Sequence, residues 1–203
     1  MNVLRLGTIV EGHGEVKALP VLVQRIAREW DPSQIVVVGP VIRSPASFLR
    51  KQGALESEVE NVARKLGGRG GILILLDCDW PDGCPAKDGP ALLTRATSAR
   101  GDMPISVVLA KKEYEAWFLS AAESLRGKHG LPALLDPPPD PEDVRGAKEW
   151  LSERMAPGRS YAATTDQPAL TELFDMRVAR QRSNSFDKCY RDVTRMLHLL
   201  RQK

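Results

Sequence analysis

Long apolar runs are missing from this 203-residue sequence: none approaches the roughly 18 residues that crossing a bilayer requires. The opening MNVLRLGTIV also lacks the basic region, long apolar core and cleavage site of a secretory signal, so a cytoplasmic location is expected. Cysteine is scarce. Cys78, Cys84 and Cys189 are odd in number and irregularly spaced, which leaves no disulfide framework. Cys78 and Cys84, with His13, are the nearest thing to a zinc set. Five residues separate the two thiols, no second pair exists, and small core or loop thiols are the plainer reading. The phosphate loop GxxxxGK[ST] is absent from the whole chain, which argues against ATP bound in the usual way. No internal repeat is present, and no low-complexity segment beyond a cluster of prolines.

What is present fits a soluble globular chain, because 42% hydrophobic and 27% charged residues can bury a core while keeping a polar surface. The length suits one domain with a small appendage. Net charge is only +3, yet it is unevenly spread: residues 175 to 203 carry eight Lys or Arg against three Asp, so the rest of the chain is about two units negative. A basic tail beside an acidic centre suggests an anionic partner held near a metal, although a solvated helix face is the ordinary explanation of such a run.

Residues 3 to 10, VLRLGTIV, read as a buried strand, and Val16, Leu19, Val23, Ile26, Ala27 and Trp30 then recur at helical spacing, with Pro20 expected to divide a first turn from the main helix. A second β-branched strand follows at 35 to 42, then helical spacing from about 54 to 66 closed by Gly67 and Gly68. A third strand, GILILLD, precedes a helical stretch near 90 to 100 and a fourth strand at 104 to 110. Residues 112 to 125 return to helix, with Tyr114, Trp117, Phe118, Ala121 and Leu125 on one stripe, so the two large aromatics are core rather than stacking platforms. Near-continuous apolar strands alternating with amphipathic helices predict an α/β fold, a parallel sheet with helices on both faces. The expected division is an α/β core over 1–126, a proline-rich connection over 127–141, and a helical C-terminal extension over 142–203 that packs back on the core. In its last helix Phe186, Tyr190, Val193, Leu197 and Leu200 share a face, while Lys188, Arg191 and Arg195 fall nearly opposite and should point outward.

The stretch 72-ILILLDCDWP-81 ends an apolar strand with two aspartates one residue apart. Side chains i and i+2 leave a strand on the same side, so Asp77 and Asp79 crowd one region. In an open parallel sheet the loops at the carboxyl ends of the strands gather at one rim, where ligands bind. Those loops carry Glu11 after the first strand, Asp77 and Asp79 after the third, and residues 111 to 115, with Lys111, Glu113 and Glu115, after the fourth. At about 4 Å and an effective dielectric near 20, each like-charged pair costs on the order of 4 kcal/mol. A domain whose whole stability is about 5–15 kcal/mol cannot leave such a triad uncompensated. All-oxygen ligands select a hard dication, Mg²⁺ first and Mn²⁺ second. In the loop 10-VEGHGEVK-17, Gly12 and Gly14 allow a tight turn and close approach, and the following helix presents its N-terminal dipole to an anion. His13 in the same loop is a candidate substrate contact, or simply a solvated histidine.

EGHGE after a first strand and DCD after a third resemble the signature of the Toprim domain, shared by topoisomerases, bacterial primases, small ribonucleases and the overcoming-lysogenization-defect nucleases. The resemblance covers roughly residues 3 to 125, and 112-KEYEAWFL-119 with 182-RSNSFDK-188 extends it to a group of stand-alone bacterial Toprim-like proteins. It implies that Glu11 is a metal ligand or general acid or base, that Asp77 and Asp79 are paired Mg²⁺ ligands, and that Glu115 is the further acid of the nuclease branch, with Glu113 as its substitute. Glu15 would assist a second metal, or else favour the first turn of its helix. Lys188 and Arg182 would neutralise a phosphodiester, while Ser183 or Ser185 could instead cap the last helix. Substrate contacts are expected from Gly12, His13, Gly14, Lys111, Glu113, Arg182 and Ser185. The chain lacks the tyrosine-bearing strand-passage domain of topoisomerases and the zinc-binding and fingers-like regions of primases.

The leading expectation is therefore a Mg²⁺-dependent (or Mn²⁺-dependent) nuclease acting on DNA or RNA, with defence against phage as the setting the resemblance implies. Two alternatives stand beside it. One is a subunit that depends on a separately encoded ATPase, as the missing phosphate loop suggests; the other is a non-catalytic nucleic-acid or nucleotide-binding module.

Overall fold

The structure, a computed structural model, describes residues 3–202. Strands β1 (Leu4–Val10), β2 (Val36–Arg43), β3 (Gly71–Cys78) and β4 (Ile105–Lys111) form one all-parallel sheet in the order β2-β1-β3-β4. The expected α/β class is what the chain adopts. Between the strands run α1 (Glu15–Trp30), a short α2 (Ala46–Leu49), α3 (Ala54–Lys65) and α4 (Pro85–Ala99). After β4 come α5 (Ala116–Ser120) and two 3₁₀ turns at Ala122–Leu125 and Pro141–Asp143. Then follow α6 (Ala147–Arg154), α7 (Ala163–Leu173), α8 (Met176–Arg182) and α9 (Asn184–Arg201).

Strand alternation splits the interior in two. Ile72, Ile74 and Leu76 of β3 face α3 and α4 together with Ile9, Val59, Val62, Ala96 and Val107. Leu73 and Leu75 face the other way, into a larger core shared by α1, α5 and the helices from α6 onward, where Phe174 meets Phe118 and Phe186 edge to face and Trp117 lies tilted on Phe186, with centroids 5.2–5.5 Å apart. Asp77 has the parity of Leu73 and Leu75, so the strand aims it toward α1 and the C-terminal helices. Among the described residues no helix is long and apolar enough to cross a membrane.

Three local expectations are corrected. Pro20 does not divide α1, which runs unbroken from Glu15 to Trp30. Leu19, Leu22, Val23 and Ile26 on its inner face are fully buried, each worth about 1.5–3 kcal/mol, which together outweigh the roughly 3 kcal/mol a helical proline costs. The helix expected over 112 to 125 is confined to 116–120, because Lys112 takes a left-handed backbone (φ 68°) and the Tyr114 N–H is donated to Asp77 instead of entering a helix. In α9, Arg191 and Arg195 are exposed as expected, but Lys188 turns inward and donates to the Val107 carbonyl at 2.9 Å. β4 lies at the sheet's edge, so that carbonyl has no strand partner and the lysine satisfies it.

Candidate active site

Glu11 follows directly on β1 and is half-buried. Its Oε1 accepts from the Ala46 N–H at 3.2 Å and its Oε2 from the Asp77 N–H at 3.3 Å, so the ends of β1 and β3 are tied through one carboxylate. Burial lifts its pKa above the ordinary value, the Ala46 N–H opposes, and the charges of Asp79 and Glu15 add to the rise. Asp77, the next-to-last residue of β3, is 16% exposed. Its Oδ1 accepts from the Tyr114 N–H at 2.8 Å, and its Oδ2 faces the Lys148 ammonium at 4.0 Å. Burial, then the neighbouring Glu115 and Glu15, hold this carboxyl well above the usual range, against the pull of Lys148. Asp79 is exposed at the rim.

A second layer of acids sits behind. Glu115 is fully buried; its Oε1 accepts from the Tyr161 hydroxyl at 2.8 Å and from Gln167 Nε2 at 3.2 Å, and its Oε2 lies 3.1 Å from Lys148 Nζ. Gln167 Nε2 also donates to Glu15 Oε1 at 2.6 Å, leaving Glu15 Oε2 buried without a hydrogen-bond partner. Glu113 accepts from the Gly146 N–H at 3.2 Å and from Lys148 Nζ at 2.9 Å. Burial pulls the Lys148 ammonium down, but Glu115, Asp77 and Glu113 together raise it above its ordinary value, so it stays charged.

Lys148 thus meets Glu113, Glu115 and one side of Asp77, while Glu11, Asp79 and Glu15 lie on the side it does not reach. One ammonium serves six carboxyl groups, and burial raises the pKa values of Glu11, Asp77 and Glu115. Among the described residues no three His, Cys, Asp or Glu side chains form a ready-made metal-binding group. Glu11 spends both oxygens on backbone N–H groups, and Glu113 and Glu115 spend theirs on Lys148, Tyr161, Gln167 and Gly146. The donors are nonetheless all oxygen, and the orphaned Glu15 Oε2 is the kind of atom a hard cation would satisfy.

The glycines of the loop serve by leaving space. Neither Gly12 nor Gly14 has a positive φ. A Cβ on Gly12 would stand 2.4 Å from Glu15 Oε2, and one on Gly14 would stand 2.1 Å from Gln167 Oε1 and 2.8 Å from the Ala163 carbonyl. Close packing of α7 on α1 is what Gly14 permits.

Other expected residues fall elsewhere. His13 is exposed in the loop. Lys111 pairs with Asp143 at 2.7 Å. Arg182 is tied to Glu123 at 2.6 Å and to the Ser120 carbonyl, and Lys188 to Val107 and Asp192, so neither faces the acids. Ser183 caps α9 by accepting from the Phe186 N–H. Ser185 is buried, accepting from Trp117 Nε1 and the Lys111 N–H and donating to Glu142, which makes it a tie between β4, α5 and α9. Cys78 and Cys189 are buried and Cys84 is exposed, all as free thiols; burial, with Asp88 nearby, pushes Cys78 up to about 11, which disfavours the thiolate a zinc site needs.

Sequence reasoning missed Lys148, Tyr161 and Gln167. Lys148 had a weak signal, as a lysine inside a helical stretch beyond the prolines, whereas nothing local marks Tyr161 or Gln167.

A family model described as a domain of unknown function, DUF4276, matches residues 10–193. No curated protein and no solved structure matches the chain.

Proposed function

The chain belongs to the DUF4276 family, and we propose that it is a Mg²⁺- or Mn²⁺-dependent phosphodiesterase acting on DNA or RNA, with a Toprim-like acidic site. The observation that carries this reading is the position of Asp77. It is hydrogen-bonded through its own N–H to Glu11, has Glu15 as a charged neighbour, and is met by the Lys148 ammonium at its Oδ2, while Asp79 neighbours Glu11. Four carboxylates on the uncompensated side call for a hard cation.

Glu11, Asp77 and Asp79, with Oε2 of Glu15, would hold the ion. Bound there, Mg²⁺ or Mn²⁺ would polarise the phosphate and acidify a bound water. The chain's own residues do the rest. The Ala46 and Asp77 N–H groups fix the Glu11 carboxylate, and the Tyr114 N–H fixes Asp77. Tyr161 and Gln167 hold Glu115 in place, and Glu115 with Glu113 holds the Lys148 ammonium at the rim. Lys148, and not Lys188, is the cation positioned to neutralise charge on a phosphate.

Labelled single- and double-stranded DNA and RNA incubated with the protein and Mg²⁺ or Mn²⁺ test the reading, with Asp77→Ala as control. Cleavage by the wild-type protein that Asp77→Ala abolishes supports it. No cleavage of any substrate, alone or with a separately encoded ATPase from a neighbouring gene, refutes it. The Lys148 clasp on Glu113 and Glu115 favours a second reading, a nucleic-acid-binding module without catalysis. Binding that falls steeply with salt and ignores Mg²⁺ would identify that case.

A further inference from the structure

At the foot of the sheet, opposite the acidic rim, a cavity of about 660 Å³ opens between the start of β1, the loop that joins α3 to β3, and the residues just before β4. Arg5 and Arg69 line it, and among the described residues neither guanidinium has a carboxylate or other hydrogen-bond partner. We propose that this cavity binds a phosphomonoester, with the phosphate held between the two arginines and an organic body laid along the wall. The length of β1 sets the cavity about 23 Å from Glu11. The site therefore stands apart from the rim and does not depend on the phosphodiesterase reading.

Charge supports it first. Asp102 is the one acid among the lining residues, and Arg100, beside the cavity, takes both its oxygens at 2.8 Å while also meeting Glu60 at 3.3 Å. Arg5 and Arg69 are the surplus, two exposed cations facing no carboxylate among the described residues. The last carbonyls of α3 do not compete for them, because Ala63 and Arg64 accept from the Gly68 and Gly67 N–H groups. A phosphomonoester carries nearly two negative charges at neutral pH and three acceptor oxygens, enough to meet one planar fork from each arginine. A monocarboxylate matches only half of that charge.

Backbone geometry supports it next. α3 lies over β1 at Gly7, where a Cβ would stand 2.3 Å from Val62, and it ends without covering Arg5, which leaves the strand on the same face two residues earlier. Gly67, Gly68 and Gly70 in the loop that follows all take positive φ. A Cβ at Gly70 would stand 2.6 Å from the Arg5 carbonyl, so glycine is what lets this loop close onto β1 and bring Arg69 to the same cavity as Arg5. Size then asks for more than a bare anion. A volume of about 660 Å³ falls among small-molecule sites, roughly 300–1,000 Å³. Val3, 40% exposed, and the edges of Met103 and Leu200 give an organic body its apolar wall.

The test is isothermal titration calorimetry with adenosine 5′-monophosphate, inorganic phosphate and adipate, in EDTA so that no ion at the rim takes part. The nucleotide should bind saturably and more tightly than inorganic phosphate, and adipate should not bind. Arg5→Gln/Arg69→Gln should weaken nucleotide binding roughly tenfold or more, while Asp77→Ala should bind it as the wild-type protein does. Circular dichroism checks the fold, and Arg69→Gln alone, a change confined to a loop, serves if the double variant misfolds. Absence of saturable binding at millimolar nucleotide overturns the proposal, as does unchanged affinity in a folded arginine variant. Binding lost in Asp77→Ala but kept in the arginine variants would move the nucleotide to the rim and overturn it too. Adipate binding without nucleotide binding would remove the phosphate, and inorganic phosphate binding as tightly as the nucleotide would remove the organic body.

Discussion

The Lys148 ammonium stands 3.1 Å from Oε2 of Glu115, a carboxylate with no solvent exposure. The lysine itself is 37% exposed, so the pair's loss should fall between the cost of an exposed ion pair and that of a fully buried one, at about 2 kcal/mol. Lys148→Gln is expected to lower urea-unfolding stability by that amount, and adding Glu115→Gln should recover most of it. The double-mutant cycle measures the coupling directly.

Lys188→Met separates the two lysines by role. It should leave cleavage unaltered and cost about 1 kcal/mol, since it bares one edge-strand carbonyl. Lys148→Gln should reduce cleavage by two orders of magnitude or more. Equal losses of activity in both variants would count against placing Lys148 at the phosphate.

Asp77→Asn removes one charge from a crowded group of carboxylates while keeping the acceptor that takes the Tyr114 N–H. In EDTA at neutral pH the variant should be more stable than wild type by about 1 kcal/mol, and it should bind Mn²⁺ at least tenfold more weakly in calorimetry. A variant less stable than wild type would show that Asp77 is already compensated.

Gly12→Ala and Gly14→Ala are expected to fail differently. The Cβ of the first meets the far end of a side chain, Glu15 Oε2, which can swing aside, so ion binding should suffer more than stability. The Cβ of the second meets Gln167 and the Ala163 backbone, so α7 must shift from α1, at a cost of about 1–3 kcal/mol in thermal unfolding.

Asp166 gives the clearest pH dependence. It is buried, which raises its pKa, but the Ala162 N–H, Arg159 and His129 overcome this and hold it below the ordinary carboxylate value. Its contribution is therefore present above the unfolded value near 4 and lost as pH falls through the lower folded value. Asp166→Asn should cost about 2–3 kcal/mol at pH 7, and the wild-type and variant stability curves should converge below about pH 4.

The sheet and the first row of acids were legible because their signals are local. Apolar runs fixed the strands to within a residue or two, and the period of two placed Asp77 on the side where Lys148 and Glu115 are found. The second row was not. Lys148, Tyr161 and Gln167 reach the acids from helices and loops far along the chain, and no period or motif records such a meeting. Lys188 shows the limit of a helical wheel, which gave its angle around α9 but not that the edge of β4 lay beneath it.

Every side chain that grips the rear acids comes from beyond the proline-rich stretch, while the acids themselves precede it. A gene split within that stretch would therefore encode two polypeptides, neither holding a complete centre. Such halves would suit a split-protein reporter, whose reassembly would be read, under the proposed function, as recovered phosphodiester hydrolysis.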